Sequence, residues 1–408
     1  MAADNLVVIV VDQLSHWATD PAQRAPLDLP NLDALAAQGT TFTRAYATSP
    51  VCSENRLALL TGQYPFTLGT NTLHPGVGSM GTMLEAAGWD TGYIGKWHLS
   101  PSASPSGFVA SADRPGWRYF AGSEGVPHKY VTGFAFKQDD PTPVSTSPWE
   151  PTWNTTEAVR FLQAPRSKPF ALVVNYGPPH PTVDTNFIPN TFTPKQIILR
   201  PNVEDRDKAA AKQRYVKYMS LAVTTDTELG VLLSEIDLAT TFVLLTADHG
   251  DMLMSHGLGT NQQKRRPWEE AAHIPLILAG PGIAAGVQDS GMMSTVDILP
   301  SMFHLLGVTV PAEVEGSPWP YFSPVYFGHD DPDKSWGGER WRGLVDGYCK
   351  YAVSESGALE TLFDLVSDPY ELTNLALNPV YAPTLNSMRA AVQARAHTLG
   401  DPFVFPTH

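Results

Sequence analysis

Two apolar runs each end in a pair of metal-ligand residue types. Leu6–Val11 is followed by Asp12-Gln13, and Thr241–Thr246 leads into Asp248-His249. Carboxylate oxygens suit a hard divalent cation, and an imidazole in the same set tilts the choice toward manganese or a similar ion. A third run, Thr91–Ile94, leads into Gly95-Lys96-Trp97-His98, and a fourth, Phe170–Asn175, precedes His180. Lys96, His98 and His180, with Arg56 and Lys264 from elsewhere in the chain, would ring a tetrahedral oxyanion with positive charge and proton donors. Sulfuryl or phosphoryl transfer needs such a cation site inside a cationic ring. Charge grows on the leaving oxygen and persists on the equatorial ones.

Each residue taken singly has a plainer explanation. An Asp after a strand commonly caps a helix or a turn. Lys264-Arg265-Arg266 reads as a solvated basic run. Trp268-Glu269-Glu270 reads as a helix start, its acids complementing the N-terminal dipole. The concentration of these types at strand ends, where open α/β sheets bind ligands, favours a site.

Elements that alternate between strand and helix must bring these residues together. Leu6–Val11 is continuously apolar and β-branched, as in a strand buried on both faces of a parallel sheet. Asn31–Gln38 reads as a helix with Gly39 as its C-cap, and Arg56–Leu60 as a helical turn after a loop. Met83–Ala87, Tyr215–Ile236 and Val296–Leu306 read as helices, and Thr91–Ile94, Phe170–Asn175, Thr241–Thr246 and Pro275–Leu278 as strands. Residues 99–155 are rich in Pro, Ser, Gly and aromatics and show no period. They read as an ordered excursion near the site. The short strand-like pieces Val325–Phe327, Trp341–Val345, Lys350–Val353 and Thr361–Asp364 suggest a small antiparallel sheet, followed by a helix near Ala382–His397. The expected fold is α/β: a large, mainly parallel sheet flanked by helices over residues 1–315, and a small antiparallel sheet subdomain with a terminal helix over 316–408.

Composition supports a folded chain and narrows its partners. The 408 residues are 43% hydrophobic and 10% aromatic, enough for a packed core. With 32 Gly and 36 Pro, long helical bundles are excluded. The formal charge of −14 disfavours nucleic acid as a partner, although a local cationic pocket can still take a small anion. The two cysteines, Cys52 and Cys349, exclude a disulfide framework. The start has no basic segment, and Leu6–Val11 is too short for a signal core or a bilayer span. These features predict a soluble, cytoplasmic protein with a small-molecule ester as substrate and no membrane partner. Homo-oligomerisation is left open.

In these stretches the chain resembles the sulfatase family of the alkaline phosphatase superfamily. The resemblance runs through Asn5–Gln13, Ala47-Thr-Ser-Pro-Val-Cys52-Ser-Glu-Asn-Arg56-Leu-Ala-Leu-Leu-Thr-Gly62, Gly92-Tyr-Ile-Gly-Lys96-Trp-His98, Thr246-Ala-Asp248-His249-Gly-Asp251, His256-Gly and Lys264-Arg-Arg-Pro-Trp-Glu-Glu270. It ends in Leu362-Phe-Asp-Leu-Val-Ser-Asp-Pro-Tyr-Glu371-Leu-Thr-Asn374-Leu. The resemblance implies an alkaline phosphatase-like fold and a single divalent metal ion, Ca2+ or Mn2+, on Asp12, Gln13, Asp248 and His249. It aligns Cys52 with the residue oxidised to formylglycine, whose hydrate attacks the ester. Arg56 would orient that hydrate, and Lys96, His98, His180 and Lys264 would grip the sulfate and protonate the leaving group. Residues 99–155 and 181–210 would shape the leaving-group pocket, with His74 and Trp97 lining it.

One position departs from the family pattern. That pattern is Cys or Ser, any residue, Pro or Ala, any residue, Arg; here it reads Cys52-Ser53-Glu54-Asn55-Arg56. Two chemical forms of position 52 follow, formylglycine or a metal-bound thiolate. The expected activity is metal-dependent hydrolysis of a small sulfate ester. The alternatives are a phosphodiester or phosphonate monoester hydrolase and, from another class, a non-catalytic anion-binding homologue.

Overall fold

A computed structural model of the chain describes residues 5–102, 106–125, 129–181, 190–332 and 335–407. The strands of the main sheet are, in chain order, β1 (Asn5–Val11), β2 (Gly39–Tyr46), β3 (Asp90–Lys96), β4 (Tyr119–Ser123), β5 (Phe134–Lys137), β6 (Asp140–Ser145), β7 (Phe170–Tyr176), β8 (Thr241–Ala247), β9 (His273–Ile274), β10 (Leu276–Ala279) and β11 (Val287–Ser294). Their order across the sheet is β11-β2-β10-β8-β1-β7-β3-β4-β5-β6, with β9 paired to β2. The apolar run of β1 lies between two parallel neighbours, β7 and β8, and Leu6 to Val11 are buried. Parallel strands covered on both faces select this kind of sequence.

The helices are α1 (Pro30–Ala37), α2 (Cys52–Thr61), α3 (Pro65–Leu68), α4 (Met80–Ala86), α5 (Glu150–Gln163), α6 (Lys208–Ser234), α7 (Glu269–Ala272), α8 (Thr295–Leu306) and α9 (Ala382–Leu399). A second sheet of four antiparallel strands follows the order β12 (Val325–His329), β13 (Trp341–Val345), β14 (Cys349–Ser354) and β15 (Glu360–Asp364). It packs through Tyr326, Leu344, Tyr351 and Leu362 against Leu385, Met388 and Val392 of α9, and against Ala58, Tyr64 and Phe66. The back of α2 is thereby clamped to the small sheet. Among the described residues no helix is long and apolar enough to cross a membrane.

The main sheet is mostly parallel, as the sequence reading has it, with antiparallel additions. Strand β10 runs antiparallel to both β8 and β2, and β4, β5 and β6 form an antiparallel edge. That edge lies inside the 99–155 excursion, which also holds the start of α5. Its last strand, β6, carries Pro141 and Pro143 and is exposed along its length. Proline is tolerated on an edge strand but erases the strand signal. Gly39 is not a helix cap. It opens β2, and a Cβ there would sit 2.3 Å from the Leu278 carbonyl oxygen, so the strand pairing itself demands glycine. Helix α2 begins at Cys52, four residues before the expected turn, and closes on Gly62 in the left-handed conformation.

Candidate active site

Parallel pairing brings the chemistry to one edge. Val11 is in register with Ala247 on one side and Tyr176 on the other, so Asp12 and Asp248 leave the sheet side by side. Lys96 leaves β3 at the same edge. Gly95 makes this possible: its φ is +91°, and a Cβ would lie 2.4 Å from the Asn175 carbonyl oxygen. Cys52 is the first residue of α2, so the helix N-terminus and its partial positive charge point into the same place.

The contacts form one buried network. Lys264 Nζ donates to Cys52 Sγ at 2.8 Å, and His249 Nε2 stands 3.0 Å from that sulfur. Lys264 Nζ also lies 3.4 Å from His180 Nε2. Lys96 Nζ donates to Asp12 Oδ2 at 2.6 Å. Arg56 donates through Nε to Asp248 Oδ2 at 3.0 Å and through Nη1 to Asn175 Oδ1 at 2.6 Å. Asp12, Cys52, Asp248 and His249 are all at most 2% exposed. Lys264, His180 and His98 are the members that reach partly to solvent.

Charge determines the protonation states. Burial would raise the Cys52 thiol, but Lys264, Lys96 and His249 outweigh it and hold it well below the usual thiol range. Burial and Cys52 likewise push Asp12 upward, and Lys96, His180 and Arg56 overcome them, so Asp12 stays ionised. Asp248 is raised by burial and by Asp12 beside it. His180 is pulled down to about 4, by burial first and by Lys264 and Lys96 against the opposing pull of Asp12. Burial and Lys96 lower His98 as well. Asp248 and Asp12 hold Arg56 and Lys96 in their charged forms against burial, and Asp248 and Cys52 raise His249 against it.

The donor set fits a divalent cation. One ligand atom from each of Asp12, Cys52, Asp248 and His249 lies within 4.8 Å of the others. His249 Nδ1 is 2.8 Å from the Gly250 carbonyl oxygen; a proton there leaves Nε2 as the lone-pair donor. Gln13 has φ +68°, a strained setting for a non-glycine residue. Its side-chain amide nitrogen donates to Asp251 and Gln263, while among the described residues its Oε1 is buried without a hydrogen-bond partner. Such an oxygen, on the residue after Asp12 whose backbone N–H donates to Asp248 Oδ1 at 3.0 Å, is a natural metal ligand.

The family model for sulfatases matches residues 4–308. The chain belongs to the sulfatase family. Sulfatases are sulfuric ester hydrolases, and this chain is one by that membership. It is 29% identical to an ulvan-active sulfatase of Formosa agariphila, with 98% of this chain and 82% of that protein aligned. It is 27% identical to arylsulfatase K of Homo sapiens, over 92% of this chain and 79% of the relative. The fold is shared with BT4656, solved in complex with its substrate D-glucosamine-2-N,6-O-disulfate, at a TM-score of 0.81 and 18% identity over 98% of this chain and 99% of that one.

This sulfatase departs from the sequence reading at Trp97, which does not line a pocket. It is fully buried in the main core, with its ring edge-on to Tyr93 at 4.9 Å. Alternation along the chain explains this, because Lys96 and His98 point to the site and the residue between them points inward. His74 is exposed and sits 3.2 Å from Thr72 Oγ1, on a loop tied to Leu99. Part of the expected 181–210 wall, residues 182–189, lies outside the described residues. The sequence reading assigned no role to Asn175, which bridges Arg56 and the Ile94 carbonyl, or to Asp251, which pairs with Arg214 at 2.6 Å. Asp251 stands three residues after Asp248 in the same motif, the one signal that could have marked it.

Glu54, the departure in the motif, faces away from the nucleophile. Its buried carboxylate accepts from Ser49 Oγ and stands 2.9 Å from His329 Nδ1 at the end of β12.

Proposed function

We propose that this sulfatase removes a sulfate group from a sulfated saccharide. Asp12, Gln13, Asp248 and His249 would hold one divalent ion, Ca2+ or Mn2+, and Cys52 would be converted to formylglycine. The observation that carries this reading is the surroundings of the Cys52 side chain: Lys264 at 2.8 Å, His249 at 3.0 Å and Asp12 at 3.8 Å. A group at that point faces cations on one side and the candidate metal ligands on the other. A structural cysteine would have no use for such neighbours.

Formylglycine supplies a hydrated aldehyde as nucleophile, and the bound ion supplies charge neutralisation at the sulfate oxygens. The chain's own residues do the rest. Lys96 and Arg56 keep Asp12 ionised, and Arg56 holds Asp248 in place through its Nε at 3.0 Å. Lys264 reaches the position of the reacting group and carries the proton that a departing alkoxide needs. His180, neutral at pH 7, positions Lys264 and can relay that proton. Saccharide as the leaving group is supported by the ulvan activity for which one relative is named and by the sulfated glucosamine bound to the structural neighbour.

Three measurements test the reading. The mass of the peptide spanning Cys52, with alkylation to mark a free thiol, distinguishes aldehyde from thiol. Elemental analysis identifies the ion. A panel of sulfated sugars, aryl sulfate, phosphodiester and phosphonate monoester ranks substrates; a top rate on a phosphorus ester would overturn the sulfate assignment.

A further inference from the structure

The basic run Lys264-Arg265-Arg266 is not explained by the reaction alone. Only Lys264 reaches the nucleophile. A cavity of about 410 Å3 lies between the 261–266 loop and Ser335. Its lining is amides, one hydroxyl and three consecutive cations, with no carboxylate among the described residues that form it. In a chain of net charge −14, such a pocket stands against the global field.

The cavity adjoins the reaction centre. Lys264 lines it and places Nζ 2.8 Å from Cys52 Sγ, and Gln263 lines it and accepts from Gln13 Nε2 at 3.0 Å. Arg265 is fixed by its backbone. It holds φ +66°, its N–H donates to the Pro50 carbonyl at 2.9 Å, and its own carbonyl accepts from Trp341 Nε1 at 3.3 Å. Left-handed backbone at a residue other than glycine persists where the surroundings impose it, and such positions cluster at ligand sites. Among the described residues, Arg265 Nε is buried without a hydrogen-bond partner. Burial and the nearby Arg265 charge pull Arg266 below its usual range, and Arg266 Nη1 donates to the Arg265 carbonyl at 3.3 Å.

We propose that this cavity is a substrate subsite in which Arg265 binds a second anionic group, a uronate carboxylate or another sulfate, carried by the saccharide whose ester is cleaved at position 52. The inference rests on the sulfated-saccharide reading and deepens it. A planar guanidinium pairs in bidentate fashion with either oxyanion, and Asn261 and Gln262 offer amides to sugar hydroxyls. Because the subsite touches the centre through Lys264, the second anion belongs to the same or the adjoining sugar.

The test uses two matched substrate pairs. One pair is a monosulfated disaccharide with a uronate and its carboxyl-reduced counterpart. The other is a disulfated disaccharide and its monosulfated form. The native enzyme should prefer the more anionic member of at least one pair by about 10- to 100-fold in kcat/KM, the scale of a charge-assisted hydrogen bond. The pair that shows the preference identifies the anion. Arg265→Gln should bring the ratio to within about threefold, and Arg265→Lys, which keeps the charge but not the fork, should fall between. Equal rates within both pairs, or a preference that survives Arg265→Gln in folded protein, overturn the subsite. If no compound releases sulfate, the hydrolytic reading fails separately. Calorimetric binding of the same pairs then decides the subsite alone, and equal or absent binding overturns it.

Discussion

Gln13 donates its amide nitrogen to Asp251 Oδ2 at 2.5 Å, and Arg214 holds the same carboxylate oxygen from the far side at 2.6 Å. That arrangement fixes which end of the Gln13 amide is available to a cation. Asp251→Asn keeps the shape but offers Gln13 a weaker acceptor or a competing donor. Divalent ion affinity should drop about 10- to 100-fold, as for other partners that orient metal ligands. Titration of the metal-free protein by calorimetry, with circular dichroism as a check on folding, measures it. Unchanged affinity would remove Asp251 from this role.

Lys264 should matter most where the leaving group is poor. An aryl sulfate with an acidic phenol departs without a proton, whereas a sugar alkoxide does not. Lys264→Ala should therefore lower kcat/KM on a sulfated sugar about 10²- to 10³-fold more than on the activated aryl ester. Equal losses on both would show that Lys264 grips the sulfate but does not deliver the proton.

Glu54 is expected to act on stability. Glu54→Ala leaves Ser49 Oγ and the buried His329 Nδ1 without their acceptor, a loss on the order of 2–4 kcal/mol. The denaturation midpoint reads it directly. Glu54→Gln, which keeps an acceptor, should lose less.

Glu270 sets part of the acid sensitivity. Burial would raise its carboxyl, but Arg200, His256 and Asn202 bring it down from 4.5 to about 2. A depressed carboxyl contributes stability above its unfolded value, and that contribution disappears as pH falls through the folded one. The contribution, on the order of 3 kcal/mol, should be present above pH 4.5 and decline steadily toward pH 2. Glu270→Gln should be less stable at pH 7, with Arg200 left unpaired at 2.9 Å, and should show a flatter dependence below pH 4.5. Thermal scans at pH 7, 4.5 and 3 of both proteins check the slope.

The strands that carry the centre were legible because β1, β7 and β8 are uninterrupted apolar runs that stop at polar residues. The endings of β1 and β8, with that of β3, placed Asp12, Asp248 and Lys96 at one edge. Strands β2 and β11 were not legible. Gly39-Thr-Thr-Phe-Thr-Arg and Val287-Gln-Asp-Ser-Gly mix polar residues on both faces, and only pairing between them makes them strands. Trp97 shows the limit of a motif. A residue flanked by two site residues looks like a third, but alternation in an extended chain sends it into the core. Asp251 and Arg214 were hidden for a different reason. They touch the centre only through Gln13, and no pattern in the chain links α6 to the end of β8.

The bond between Glu54 and His329 joins residues 275 positions apart. At roughly 5–20 residues per second, the ribosome needs about 14–55 s to make the interval between them. Until His329 emerges, the front of α2 lacks the partner that locks it against the small sheet, and Cys52 lacks the closure that leaves it 2% exposed in the folded protein. On the formylglycine reading proposed above, that interval is the time in which the segment around position 52 is open to oxidation as extended chain. On that reading, slower synthesis over residues 54–329 lengthens the window, and the formylglycine content of the Cys52 peptide should rise with it.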